Sequence, residues 1–180
     1  MRITQSILNN KSKDKTKEII KQIEEWTEKR ISNILFDSDK DDWNKNTSVF
    51  DQRIKNKEHI IIIIEDTKGN KFGGYVNSKI DKVDDYIYDS KSFVFSLESN
   101  ERNGKMMKFD IKQTQSAFSL FSQSDIHLFA FGLDDILVYK ESIKAMSSCC
   151  QYSFEYEGIP NALCGNQRFT PKRIIVIEMK

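Results

Sequence analysis

HIIIIIEDTKGNKFGGYV, residues 59–76, decides how the rest of the chain is read. Five isoleucines run without interruption from Ile60 to Ile64. β-Branched side chains lose little rotamer freedom in an extended backbone and pack well on a pleated surface. An unbroken apolar run, in place of alternation, predicts a strand covered on both faces. Glu65-Asp66-Thr67-Lys68-Gly69-Asn70 supplies a turn in which Gly69 and Asn70 tolerate positive φ. Lys71-Phe72-Gly73-Gly74-Tyr75-Val76 then returns as the partner strand. The stretch reads as a central β-hairpin. Each buried isoleucine contributes about 1.5–3 kcal/mol relative to exposure, so the run supplies a large share of one core. Lys57, Glu58, Glu65 and Asp66 flank it as charged gatekeepers against aggregation.

A length of 180 residues fits one domain with a short helical extension. With 38% hydrophobic and 31% charged residues the chain is of the folded, globular kind. Its 28 basic and 27 acidic residues give a net charge of +1, which leaves no basic field for nucleic acid and no acidic one for cations. No nucleic-acid partner is expected. Apolar runs fall well short of the roughly 18 residues of a membrane helix, so no membrane insertion is expected. The segment MRITQSILNNKSKDK lacks the apolar core of a signal peptide. Cys149, Cys150 and Cys164 are accordingly expected as reduced thiols in a cytoplasmic protein.

Outward from the hairpin, residues 1–13 are polar. Asp14 is placed to cap a helix running to about Arg30, with Ile19, Ile20, Ile23, Trp26 and Ile31 at helical spacing. The stripe is short for a coiled coil, and packing on its own domain is favoured. Ile34-Leu35-Phe36 reads as a strand feeding an acidic loop, and Thr47 or Ser48 as the cap of a short helix carrying Val49, Phe50 and Ile54. Residues 77–91 read as an acidic loop. Phe93, Phe95 and Leu97 alternate with Val94, Ser96 and Glu98, and residues 106–111 are the expected antiparallel partner across a turn at 99–104. Further strands are expected at 126–131, 136–139, 151–156 and 173–179, with Tyr152, Phe154 and Tyr156 on one face. Short strands at hairpin spacing, without a repeated helix between them, disfavour a doubly wound parallel sheet. The expected class is β-rich α+β, a sandwich of two mostly antiparallel sheets with peripheral helices and an N-terminal helix. Residues 1–32 form the tail and amphipathic helix, and 33–180 the sandwich domain.

The acidic loop, Asp37-Ser38-Asp39-Lys40-Asp41-Asp42-Trp43, is the strongest candidate for chemistry. Asp37, Asp39 and Asp41 match the alternate ligands of a calcium-binding EF-hand loop. The required glycine is Asp42, however, and the bidentate glutamate is Ser48, so that reading fails. An apolar strand ending in Asp-x-Asp also suits a haloacid-dehalogenase-like, Mg²⁺-dependent phosphatase, with Asp37 as nucleophile and Asp39 as general acid/base. Gly132-Leu133-Asp134-Asp135 would then imitate its metal-binding pair. Asp41 stands where a small β-branched residue is expected, and the parallel framework is missing. A solvated turn with an Asx cap is the simpler reading. Gly69, Gly73 and Gly74 precede no Gly-Lys-Ser/Thr and open no helix, so they mark a turn and a close backbone approach instead of a phosphate cradle. His59 and His127 have no partners at zinc spacing. Cys164 is a candidate redox thiol, against the simpler reading of an ordinary reduced cysteine.

Taken in order, five segments resemble the TLDc family, the domain of oxidation-resistance proteins and of certain TBC- and LysM-containing proteins. They are Ile34–Asp39 with Trp43 behind it, Ile60–Ile64 through Phe72-Gly73-Gly74-Tyr75, Asp89–Leu97, Phe131-Gly132 with Asp135-Ile136, and Phe169-Thr170 to Glu178. Between residues 150 and 168 the chain departs from the family, which often has a longer loop rich in glycine and serine. The resemblance implies a sandwich of two antiparallel sheets and no established catalytic set or cofactor. It also implies a protein-interaction role in oxidative-stress protection, with subunits of the vacuolar proton pump (V-ATPase) as partners. The binding surface expected on this chain is the acidic loop, Asp37, Asp39, Asp41 and Asp42.

Overall fold

The computed structural model describes residues 13–100 and 105–180. The polar segment 1–12, and residues 101–104 of the expected turn, lie outside the described residues. Helix α1 (Lys13–Thr27) precedes β1 (Ile31–Asp37), and the short α2 (Phe50–Ile54) leads to the central hairpin of β2 (Ile60–Asp66) and β3 (Lys71–Val76). There follow β4 (Tyr86–Ile87), β5 (Phe93–Glu98), β6 (Met107–Asp110), β7 (Phe118–Leu120), β8 (His127–Phe131), β9 (Ile136–Tyr139), β10 (Ser147–Ser148), β11 (Arg168–Phe169) and β12 (Pro171–Met179). They form two six-stranded sheets, ordered β1-β12-β2-β3-β5-β6 and β11-β10-β9-β8-β7-β4. Every strand pair is antiparallel, so the expected sandwich is what the chain forms.

The isoleucine run does what its lack of alternation predicts. Ile60, Ile62 and Ile64 join Phe36, Phe72, Val76, Phe129 and Phe131 in the core between the sheets. Ile61 and Ile63 point the other way, into a second core with Tyr75, Phe93, Phe95, Ile175 and Ile177. Helix α1 covers that second face. Its Ile19 and Ile23 are buried there, and Trp26 lies 6.2 Å from the Phe93 ring and 6.0 Å from Phe95. The helix therefore packs on its own domain. It ends at Thr27, short of the expected Arg30, because Glu28 adopts φ +55° and turns the chain back toward β1. Asp14 lies in its first turn, where a carboxylate complements the helix dipole.

The hairpin pairs Ile60 with Val76 through Glu65 with Lys71. Gly69 takes φ +87° as expected, but Asn70 does not adopt positive φ. Asn70 is instead held by the buried Asp66 carboxylate, which accepts from its backbone N–H at 2.9 Å and its side-chain amide at 2.8 Å. Side-chain hydrogen bonds of this Asx type define a turn as firmly as a glycine does. A Cβ built on Gly73 would run into the Ile62 carbonyl oxygen, and one on Gly74 would meet the Phe131 ring at 2.6 Å. The pair lets β2 and the second sheet come close.

Two further expectations are corrected. Residues 77–91 are not loop throughout, since Tyr86–Ile87 pairs with β7 at the edge of the second sheet. Residues 151–156 form no strand; only Phe154 makes an isolated bridge, to Ile111. Tyr152 is 58% exposed, whereas Phe154 and Tyr156 are buried, so the three do not share a face. The cause is Asp135. Its fully buried carboxylate accepts from the backbone N–H groups of Tyr152, Ser153 and Phe154 at 3.1, 2.9 and 3.3 Å and from the Tyr156 hydroxyl at 2.8 Å. Amides wrapped around a carboxylate cannot join a ladder.

Candidate functional site

The acidic loop grows directly from β1. That strand pairs with β12, and Ser38 continues the pairing by donating its N–H to Ile174 O at 2.9 Å. The Asp37 carbonyl then accepts from Lys40 and Asp41 at 2.9 Å each, closing a tight turn. Asp37 Oδ1 accepts from the Asp39 N–H at 3.2 Å, the Asx arrangement expected from sequence. Asp41 Oδ2 accepts from the Asp37 N–H, and Asp42 Oδ1 from Asn44, at 2.9 and 2.8 Å. Much of the acidic character thus serves the loop itself.

Asp37 is only 2% exposed, so it lies under the expected binding surface and not on it. Arg173 of β12 grips it with both prongs, Nε to Oδ1 at 3.1 Å and Nη2 to Oδ2 at 2.9 Å. The same Nε reaches Asp39 Oδ2 at 3.0 Å. A bidentate guanidinium–carboxylate pair is the strongest geometry for such a contact. Burial pushes the Asp37 carboxyl up, but the Arg173 hydrogen bonds, the Asp39 N–H and the charges of Arg173 and Lys40 together outweigh it and hold the group below the usual carboxylate range. A carboxylate with both oxygens so occupied is poorly placed as a phosphoryl nucleophile, and β1 is an antiparallel edge strand. Its stabilising contribution is present above the unfolded carboxylate pKa, about 3.9. That contribution is lost as pH falls through the lower folded value. Asp37→Asn is therefore expected to flatten the fall in unfolding free energy below about pH 4, measured by urea denaturation across that range.

Asp39 and Asp42 are exposed, and Asp41 is half-buried against Arg53 at 3.3 Å. Beyond them Trp43 and its neighbours tie the two sheets together at this end. Glu141 donates its N–H to Trp43 O at 3.3 Å, and Lys45 its N–H to Ser142 Oγ at 3.2 Å. Between these segments a groove of about 280 Å³ opens, lined by Trp43, Ile143, Lys144, Met146, Pro171 and Lys172. Trp43 is 7% exposed, while Met146 is 48% exposed. Methionine adapts its shape to an incoming surface, and exposed acids beside exposed lysines add charge selectivity. Residues 140–146 carried no recognisable signal in the sequence, and Arg173 read only as the first residue of the last expected strand.

Lys140 and the two histidines are held by the fold away from the loop. Lys140, 2% exposed, donates to the carbonyls of Ser122, Gln123 and Asp125 at 2.7, 3.0 and 2.6 Å, and burial lowers its pKa. His127 Nδ1 lies 2.8 Å from Asp125 Oδ1, its ring between Phe121 and Tyr139. His59 Nδ1 lies 3.4 Å from the Tyr75 hydroxyl, beside a second cleft under the end of α1. Among the described residues no three His, Cys, Asp or Glu side chains are grouped to hold a metal ion. No described helix is long and apolar enough to cross a membrane. Cys164 is buried, with its Sγ 3.8 Å from that of Cys149.

Fold and site together define a two-sheet β-sandwich with a grooved end that carries charges of both signs. The TLDc domain family model matches residues 1–174, and the chain belongs to that family. The match takes in helix α1 as well as the sandwich. No curated protein matches the chain.

Proposed function

We propose that this TLDc-domain chain is a non-enzymatic interaction module that seats a protein partner on the grooved end of the sandwich. The partner is a subunit of the vacuolar proton pump (V-ATPase), and the setting is protection against oxidative stress. The resemblance to TLDc proteins that bind the pump and influence its assembly supports this choice. One observation carries the location of the surface. Asp39 and Asp42 are exposed beside a groove whose rim holds the half-exposed Met146, an apolar side chain left in water where the loop charges can orient a partner.

The experiment uses the full chain as bait for pump subunits. Wild-type chain is expected to retain them, and Met146→Glu combined with Asp42→Lys to lower the apparent affinity at least about tenfold, the effect of losing a central anchor. Both side chains are exposed, and because Asp42 also accepts from Asn44 within the loop, urea denaturation of the variant checks that the fold is kept. Retention of no pump subunit by the wild type would overturn the choice of partner. Equal retention by wild type and variant would move the surface elsewhere.

A further inference from the structure

Between β10 and β11 the chain makes an irregular excursion, and both ends of it are anchored. Ser147 and Ser148 pair with Phe169 and Arg168, and the Cys149 N–H continues that ladder by donating to Gln167 O at 2.9 Å. Cys149 thus sits at the base of the excursion. Fifteen positions later Cys164 folds back onto it, and the two Sγ atoms stand 3.8 Å apart. Both thiols are free and buried, at 6% and 2% exposure. A bonded pair of sulfurs stands about 2.05 Å apart, so the two must approach by about 1.8 Å, a distance that turning both side chains within a loop that lacks regular structure can supply. Cys150, next in sequence, is free and more exposed, with no sulfur at comparable distance among the described residues.

We propose that Cys149 and Cys164 form an intramolecular disulfide when the protein meets a two-electron oxidant of the peroxide class, stapling the 149–168 excursion at its base.

The chemistry follows from the pair. Once Cys164 is a thiolate it accepts a hydrogen bond from the Cys149 thiol, which lowers its pKa, while burial pushes the Cys149 thiol well up. The Cys164 sulfur attacks one peroxide oxygen; the O–O bond breaks, and the other oxygen leaves as hydroxide and takes up a proton to become water. Cys164 is then a sulfenic acid. The Cys149 sulfur, giving up its proton, attacks the Cys164 sulfur; the S–O bond breaks and a second water leaves. Two thiols and one peroxide become one disulfide and two waters, with two electrons passed to the peroxide. A neighbour already in contact resolves the sulfenic acid before further oxidation.

The test uses the full-length Cys150→Ser chain, which removes ambiguity between adjacent cysteines. The chain is treated with hydrogen peroxide, alkylated and digested without reduction, and the peptides are identified by mass spectrometry. The expected product is a Cys149–Cys164 cross-linked peptide, 2 Da lighter than its two parts. Thermal unfolding of the oxidised chain is expected to shift up by about 6–12 °C, the effect of closing a loop of this length in a domain this size, and dithiothreitol should reverse it. Recovery of Cys164 as sulfinic or sulfonic acid without a cross-link would overturn the proposal. So would disulfides only between separate chains, or both thiols remaining reduced while an exposed reference thiol is fully oxidised. Wild-type chain treated in parallel, with its bridge mapped by fragmentation, covers the case in which the variant folds poorly; a bridge through Cys150 there also overturns the assignment.

Discussion

Replacing Arg173 by methionine is expected to lower the unfolding free energy at pH 7 by about 3–5 kcal/mol, read from the midpoint of urea denaturation. The loss comes from what is left behind more than from the bond removed. Asp37 is 2% exposed, and without the guanidinium its charge has, among the described residues, only Lys40 Nζ, at 3.6 Å, as an opposite partner. Lys40 is largely in water and compensates little. Adding Asp37→Leu to Arg173→Met removes the stranded charge and is expected to recover most of the loss, since apolar replacement of a whole buried pair is often neutral. A single variant within about 1 kcal/mol of wild type would mean that water reaches Asp37 and that the pair is no keystone.

The second large effect concerns the paired glycines of β3. Gly73→Ala is expected to cost at least about 3 kcal/mol, and Gly74→Ala about 1–3 kcal/mol, by the same measurement. The difference lies in what each new methyl meets. At Gly73 it meets the Ile62 carbonyl oxygen, part of the backbone of β2, which cannot move without disturbing the sheet. At Gly74 it meets the Phe131 ring at 2.6 Å, and a ring can tilt within a core of other aromatics. Equal losses at the two positions would show that the strands slide apart as readily as the ring turns.

What could be read from the residues follows the range of the interactions. The Ile60–Ile64 run, the Lys71–Val76 return and the alternation at Phe93–Leu97 are local signals, and each became the strand it suggested. Short strands such as Phe118–Leu120, Ser147–Ser148 and Arg168–Phe169 have too few residues to show a period; partners across the sheet make them. The segment 151–156 carried a strand pattern that lost to a single carboxylate, Asp135, whose reach cannot be read from sequence spacing. The acidic loop was legible as a turn. Its arginine, 136 positions downstream, was not, because nothing local ties Asp37 to Arg173. The 3.8 Å approach of Cys149 and Cys164 is likewise a product of how one excursion folds back.

The place of β12 in the first sheet bears on how the protein comes to be folded at all. β2 is flanked by β3, its neighbour in the chain, and by β12, which pairs Ile60 with Glu178 and Ile64 with Ile174. Until that distant strand has been synthesised, the isoleucine run has one bare edge, and the hairpin can grow by recruiting another chain as easily as by waiting for its own. Closing so long a loop is slow, since its entropy must be overcome before the new contacts form. Recovery of native protein after dilution from denaturant should therefore fall steeply with protein concentration, while the folded molecule, its edge sealed by β12, tolerates the same concentrations. In a living cell the same interval is when this chain would most need a chaperone.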